Sequence, residues 1–167
     1  MERGIKGVRI WYNTSMAKYY KLIAENRKAY FDYHILETFR AGLALTGAEV
    51  KSIRLGRANL HDSFGRVEGG EVFLYNMHIS PYDKSRVSSA EATRRRKLLL
   101  TGSELKKIIG KASEKGLTLV PTKLYFMGDW AKVDLALAKA KKKYEKREVI
   151  REREISREVE KILKGKK

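Results

Sequence analysis

Two groups of side chains in this sequence have the type and spacing to act on a polyanion. Lys51 and Arg54 stand three apart, which sets two cations side by side on a helix. Farther along, Tyr144 lies inside the run Lys141-Lys142-Lys143-Tyr144-Glu145-Lys146-Arg147-Glu148. A ring there can stack on an exposed base while Lys146 and Arg147 hold phosphates. With no apolar neighbours in sequence, Tyr144 reads as a stacking residue rather than a buried one. Acid and base catalysis of RNA cleavage would need an imidazole beside a carboxylate. His34, His61 and His78 lie near Asp32, Asp62 and Glu71, but no two of these form a known catalytic spacing. The reading is therefore a binding protein and not an enzyme.

The elements that must position these groups are legible nearby. Thr46 and Glu49 have the spacing of a capping box, and Gly56 is placed to end the helix as a left-handed cap. Val50 and Ile53 share one face between them, so the helix is pinned to a core while Lys51 and Arg54 stay outside. Tyr30 to Leu45 reads as one long bent strand with Gly42 inside it. Phe64–Glu68 and Glu71–Ile79 flank Gly69-Gly70, a hairpin signal. Residues 81–93 read as a mobile basic loop and Lys97–Thr101 as a short strand. A helix follows, with Ser103 as its N-cap and Gly116 as its stop. Leu117–Phe126 and Trp130–Ala138 read as strands, the second alternating Ala131, Val133, Leu135 and Leu137 with Lys132 and Asp134, so one face is wet. The expected fold class is mainly β: a small antiparallel barrel with flanking short helices and a basic C-terminal tail.

Charge supports a polyanionic partner. The net charge is +17, and most of it sits in two segments: residues 84–115 hold ten Lys/Arg against three acids, and residues 139–167 hold thirteen against six. Such clustering suggests two electrostatic footprints on nucleic acid rather than a uniformly solvated surface. With 43% hydrophobic residues the chain can fill one core. It has no cysteine, which excludes a disulfide framework and a Cys-ligated zinc and fits a reducing cytoplasm. Apolar runs are too short to span a membrane, Met1–Ser15 has no signal core, and the tail lacks the aromatic apolar face that membrane attachment needs. No cofactor or metal ion is expected.

From Gly47 through Ser63 the sequence meets the pattern G-x-E-V-K-S-x-R-x-G-x-x-N-x-x-D-S without a gap. There the chain resembles the bacterial tmRNA-binding small protein B family. Three further blocks agree: Glu25-Asn26-Arg27-Lys28-Ala29, Arg96-Lys97-Leu98-Leu99-Leu100 and the run from Lys141 to Glu148. The resemblance implies an OB-like barrel over residues 22–138, an N-terminal extension over 1–21, and a tail over 139–167 that is disordered when free and helical on the ribosome. It also implies that the barrel grips the tRNA-like domain of tmRNA, through Asn26, Arg27, Lys28, Lys51, Arg54, Lys97, Leu99, Lys132, Lys141 and Lys142. The tail would enter the vacant decoding site and messenger channel of a stalled ribosome, with Tyr144, Lys146 and Arg147 on small-subunit RNA. The resemblance implies a monomer acting with the elongation factor that delivers aminoacyl-tRNA. An OB-fold ribosomal or general binder of another structured RNA is the alternative.

Several of these residues have plainer readings. Glu49 is better explained as a helix cap than as an RNA ligand, Asn26 also fits a turn cap, and Leu99 also fits the core. Lys132 also fits a solubilising lysine, and the tail also fits a solvated helix resting on the barrel. The chain departs from the family at Phe39-Arg40-Ala41-Gly42, where the family carries an acid in place of Arg40, and at Ala90-Glu91-Ala92, where it carries H-D-P. Met1–Ser15 has no family counterpart, and Met16-Ala17-Lys18 resembles the family's start.

Overall fold

Long-range antiparallel pairing organises this chain. The computed structural model describes residues 20–82 and 89–164. Its strands are β1 (Tyr20–Glu25), β2 (Tyr33–Leu43), β3 (Ala58–Asn59), β4 (Phe64–Glu68), β5 (Glu71–Tyr75), β6 (His78–Ile79), β7 (Arg96–Leu99), β8 (Leu117–Met127) and β9 (Trp130–Ala140). Its helices are α1 (Arg27–Asp32), α2 (Gly47–Arg54), α3 (Ser89–Ala92), α4 (Gly102–Ala112) and α5 (Lys143–Lys164). Around the main sheet, β8 pairs with β4, then β5, β7, β2 and β9 follow, and β9 pairs again with β8. Those six strands thus close on themselves, with β1 added along β8 and the pair β3–β6 beside them. Mainly antiparallel β structure with short flanking helices is what the sequence leads one to expect.

Alternation along the strands fills the interior. Phe39, Ala41 and Leu43 of β2, Val72 and Leu74 of β5, Leu98 of β7, and Val133, Leu135 and Leu137 of β9 are buried together with Ile53 of α2 and Ile108 of α4. Gly69 and Gly70 both take positive φ, +58° and +78°, as a tight two-residue hairpin turn requires. Closure of the sheet depends on another glycine. Gly65 faces Leu119 where β4 meets β8, and a Cβ on it would lie 2.8 Å from Leu119 Cβ and 3.2 Å from Leu135 Cδ1. Gly65→Ala is expected to destabilise the protein by about 1–3 kcal/mol, the usual range for overpacking, read as a lower urea midpoint.

Several elements differ from the sequence reading. The stretch from Tyr30 is not all strand: Asn26 caps α1, its Oδ1 accepting from Ala29 N–H at 3.1 Å, and β2 begins only at Tyr33. Strand β1, unexpected from the sequence, pairs with β8. Helix α4 is capped by Thr101 and not Ser103, because Thr101 and Glu104 form a second capping box. It ends at Ala112 rather than running to Gly116, whose positive φ of +84° serves the turn into β8. In the basic loop, Ser89–Ala92 is helical, and residues 83–88 lie outside the described residues, as do residues 1–19 of the N-terminal extension. The wet face of β9 is shorter than its alternation suggests. Ala138 is buried in a second small cluster, where Ala29 of α1 packs on Val120 and Ala138 beside Tyr33 and Ile35.

Candidate nucleic-acid interface

Helix α2 is built as the alternation of Val50, Ile53, Lys51 and Arg54 requires. Thr46 and Glu49 close the capping box, Gly56 takes φ +75° just past the end, and Ile53 is fully buried. Lys51 and Arg54 are exposed on the neighbouring face. Lys51 Nζ lies 5.4 Å from the Tyr82 ring centre, and the Arg54 guanidinium lies 5.7 Å from that of Phe126 and 3.2 Å from Asp129 Oδ1. Both cations are thus held in place without being covered. Replacing either by Ala is expected to weaken RNA binding and to lower the slope of log affinity against log salt by about 1, since each phosphate contact releases roughly one counterion. Binding titrations over a salt series would read this.

Glu49 does more than cap. Its Oε1 accepts from Arg94 Nε at 2.9 Å and Arg96 Nε at 2.8 Å, while Oε2 accepts from Arg94 Nη2 and from Thr46 N–H. Arg96 is 0% exposed, and its remaining N–H groups donate to the carbonyls of Met77, Arg94 and Ala92. Burial pushes the Glu49 carboxyl up, but the hydrogen bonds from Arg94 and the Thr46 amide and the charge of Arg96 outweigh it, holding the group below its ordinary value. Burial likewise lowers the Arg96 guanidinium, against the opposing pull of Glu49. This ion cluster ties α2 to β7 and gives the cation shelf a fixed direction. The sequence reading missed Arg96 as a structural residue; the only signal was an arginine alternating into the same inward register as Leu98.

The outer face of the sheet gathers a second set. Leu99 pairs with Gly42, Gly42 with Lys132, Lys132 with Tyr125, and Tyr125 with Leu22, forming one row across five strands. Leu99 is 53% exposed, so it is not a core residue, and it is the nearest neighbour a Cβ on Gly42 would meet, at 3.3 Å. Lys132 is partly exposed on the same row. Lys97, two residues before Leu99 on the same face, is ion-paired with Glu71. Arg40, exposed, is opposite Asp134, and Asp134 accepts a 2.8 Å hydrogen bond from the Tyr125 hydroxyl. Burial and that partner push the Tyr125 phenol far up, so it stays neutral.

On α1 the three candidates separate. Asn26 is 8% exposed, and its Nδ2 donates to the carbonyls of Leu60 and Pro121, at 3.3 and 3.2 Å, while Oδ1 caps the helix. Its amide is committed to the fold and joins α1 to β8, which makes it a positioning residue rather than an exposed ligand. Arg27 and Lys28 are exposed; Arg27 lies 3.4 Å from Glu25 and Lys28 lies 3.5 Å from Asp62.

Beyond Ala140 the chain turns onto α1 and then into α5. Lys141 N–H donates to Asp32 O and its Nζ to Tyr30 O. Glu145 Oε2 accepts from Lys142 N–H at 2.5 Å, capping the start of α5, and its Oε1 lies 3.3 Å from His34 Nε2. The Lys142 amide, joined by His34, holds the Glu145 carboxyl below its ordinary value against a smaller opposing effect of burial. Lys146 pairs with Asp32 at 2.7 Å, whereas Lys142, Tyr144 and Arg147 are exposed, the tyrosine by 57%. Farther along, Ile155, Val159, Ile162 and Leu163 are exposed. The helix is therefore attached through its first turn. The three histidines are scattered: His34 at the root of α5, His61 beside Asp62 at 2.8 Å, and His78 in β6. Among the described residues no group of three or more His, Cys, Asp or Glu is placed to hold a metal, and no helix is long and apolar enough to cross a membrane.

Similarity to known proteins covers this whole arrangement. The model of the SmpB protein family matches residues 23–165. An SsrA-binding protein of Carboxydothermus hydrogenoformans is 60% identical over 145 residues, spanning 87% of this chain and 97% of that protein. Another, of Thermoanaerobacter pseudethanolicus, is 55% identical over 146 residues, spanning 87% and 94%. A solved structure described as "tmRNA-SmpB: a journey to the center of the bacterial ribosome" is similar in fold, with a TM-score of 0.60 and 51% identity over 71% of this chain and 84% of that one. With a family match over that length and identities of this order, the chain belongs to the SmpB protein family.

Proposed function

We propose that this chain binds tmRNA and acts in trans-translation, bringing tmRNA to stalled ribosomes and so rescuing them. The observation that carries this is the 60% identity to an SsrA-binding protein over 145 residues. The family match from 23 to 165 takes in every element from β2 to α5, body and tail alike.

Within that function the geometry supports a division of labour. Arg27, Lys28, Lys51, Arg54, Lys97, Leu99 and Lys132 hold the tRNA-like domain, with Asn26 positioning α1 beneath it. Folded RNA is read chiefly by shape, phosphates and 2′-hydroxyls, which suits cations spread over a rigid sheet. Lys141 and Lys142 sit where the body passes into the tail. Tyr144, Lys146 and Arg147 then face small-subunit RNA at the empty decoding site, Lys146 exchanging Asp32 for a phosphate. The protein works as a monomer in the cytoplasm, alongside the elongation factor that delivers aminoacyl-tRNA, and contributes binding rather than covalent chemistry. Competition of labelled tmRNA against bulk tRNA at fixed salt tests the reading. Bulk tRNA is expected to displace tmRNA poorly; equal displacement would make the chain a general binder of structured RNA.

A further inference from the structure

Trp130 stands at the tip of the β8–β9 hairpin with 75% of its surface exposed. Its place in the sheet is defined: Trp130 pairs with Met127, and Met127 with Tyr20, making a row next to the one that holds Lys132 and Leu99. Because alternate residues of a strand share a face, the indole projects on the same side as Lys132. The preceding residue, Asp129, is bonded to Arg54. A flat, exposed ring thus stands at the end of the sheet face that carries Lys132 and Leu99.

An indole presents on the order of 150–250 Å² of aromatic surface, the largest stacking area any side chain offers. We propose that Trp130 is a stacking platform for an unpaired base of the bound RNA, with Lys132 on the same face taking a phosphate that flanks it. This rests on the tmRNA-binding reading and names a contact within it. The base must be unpaired and splayed out, because bases inside a helix already have both faces covered by their neighbours. Charge selects nucleic acid over a protein partner: the ring shares its face with Lys132 on a chain of net charge +17.

The test uses the full chain and tmRNA. Trp130→Ala is expected to weaken binding on the order of tenfold, the usual loss for removing one aromatic platform, while Trp130→Phe keeps most of the affinity because stacking tolerates a change of ring. The salt slope should not change in Trp130→Ala, since stacking releases no counterion, whereas Arg54→Ala should lower it. The sequence holds two tryptophans, Trp11 and Trp130, so in a Trp11→Phe background any quenching of indole fluorescence by tmRNA reports on Trp130. Unchanged affinity in Trp130→Ala, a loss that Phe does not restore, a shallower salt slope, or unquenched fluorescence on binding would each overturn the assignment. Failure of the unsubstituted chain to bind tmRNA would instead remove the tmRNA reading, and this contact with it.

Discussion

A chain ending at Lys142 is expected to bind tmRNA within about twofold of the full protein, the range of surface changes remote from a contact, yet to support no peptide tagging on stalled ribosomes. The cut has a structural reason. Strand β9 runs to Ala140, with Lys139 opposite His34 and Ala140 opposite Tyr33, and Lys141 N–H closes the junction on Asp32 O. Ending earlier would remove rungs of the ladder that carries Lys132. Ending at Lys142 removes Tyr144, Lys146 and Arg147 while leaving the shelf and the sheet face intact. What α5 loses with the cut is mostly its own surface, since Ile155, Val159, Ile162 and Leu163 are already exposed. Residues 143–167 also carry ten Lys/Arg against six acids, so a small loss of affinity that disappears at higher salt is expected. Gel-shift titration and an in vitro tagging reaction on ribosomes stalled at a truncated messenger measure the two halves. Parallel loss of both would show that body and tail do not divide the work.

Glu49→Gln is expected to be the most destabilising single change in the body, by about 3–5 kcal/mol, the cost of leaving one member of a buried ion pair without its partner. The charge left behind is that of Arg96, whose side chain is fully buried. Against a total stability of about 5–15 kcal/mol this is enough to unfold a sizeable fraction at growth temperature. Urea denaturation would show it as a lower midpoint with an unchanged slope. Replacing both charges by apolar residues, Glu49→Leu with Arg96→Met, is expected to restore a large part of the loss, because neither charge is then buried alone. The pH dependence has a definite sign. The folded Glu49 carboxyl lies below its ordinary value of 4.5, so its contribution is fully present at neutral pH and is lost as pH falls below that value toward the folded one. The Gln variant should lack that part of the acid transition. Because Glu49 also joins α2 to β7, the folded fraction of the variant should hold Lys51 and Arg54 less firmly and bind RNA more weakly.

Much of this molecule is written in short stretches of chain. The capping box at Thr46 and Glu49, the stop at Gly56, the turn at Gly69-Gly70 and the alternation through Val133, Leu135 and Leu137 each depend on residues a few positions apart. Those interactions survive almost any tertiary setting, so they can be read directly. The exposure of Lys51 and Arg54 follows from them, because a helix with Val50 and Ile53 inward must turn its next face outward. Family likeness at residues 47–63 then points to the kind of RNA partner proposed for it, which charge alone leaves open.

Other features had no local cause. For the short helix α1 only the cap is local, Asn26 accepting from Ala29; what holds that cap in place is the grip of Asn26 on carbonyls of Leu60 and Pro121, 34 and 95 residues away. Competing local signals decided the start of α4, where Thr101 with Glu104 outweighed Ser103. Arg96 reads as one more surface cation until closure of the sheet encloses it and supplies Glu49 and three carbonyls. Leu99, in an apolar triplet, was equally suited to the core or the surface; register settled it, since Leu98 took the inward position and a strand can bury only every second residue there. Row by row, the same closure sets Leu99, Gly42 and Lys132 side by side from three separate strands and lifts Trp130 beside them. Spacing along the chain determined which residues could bind; hydrogen-bond register between distant strands decided which of them share a surface.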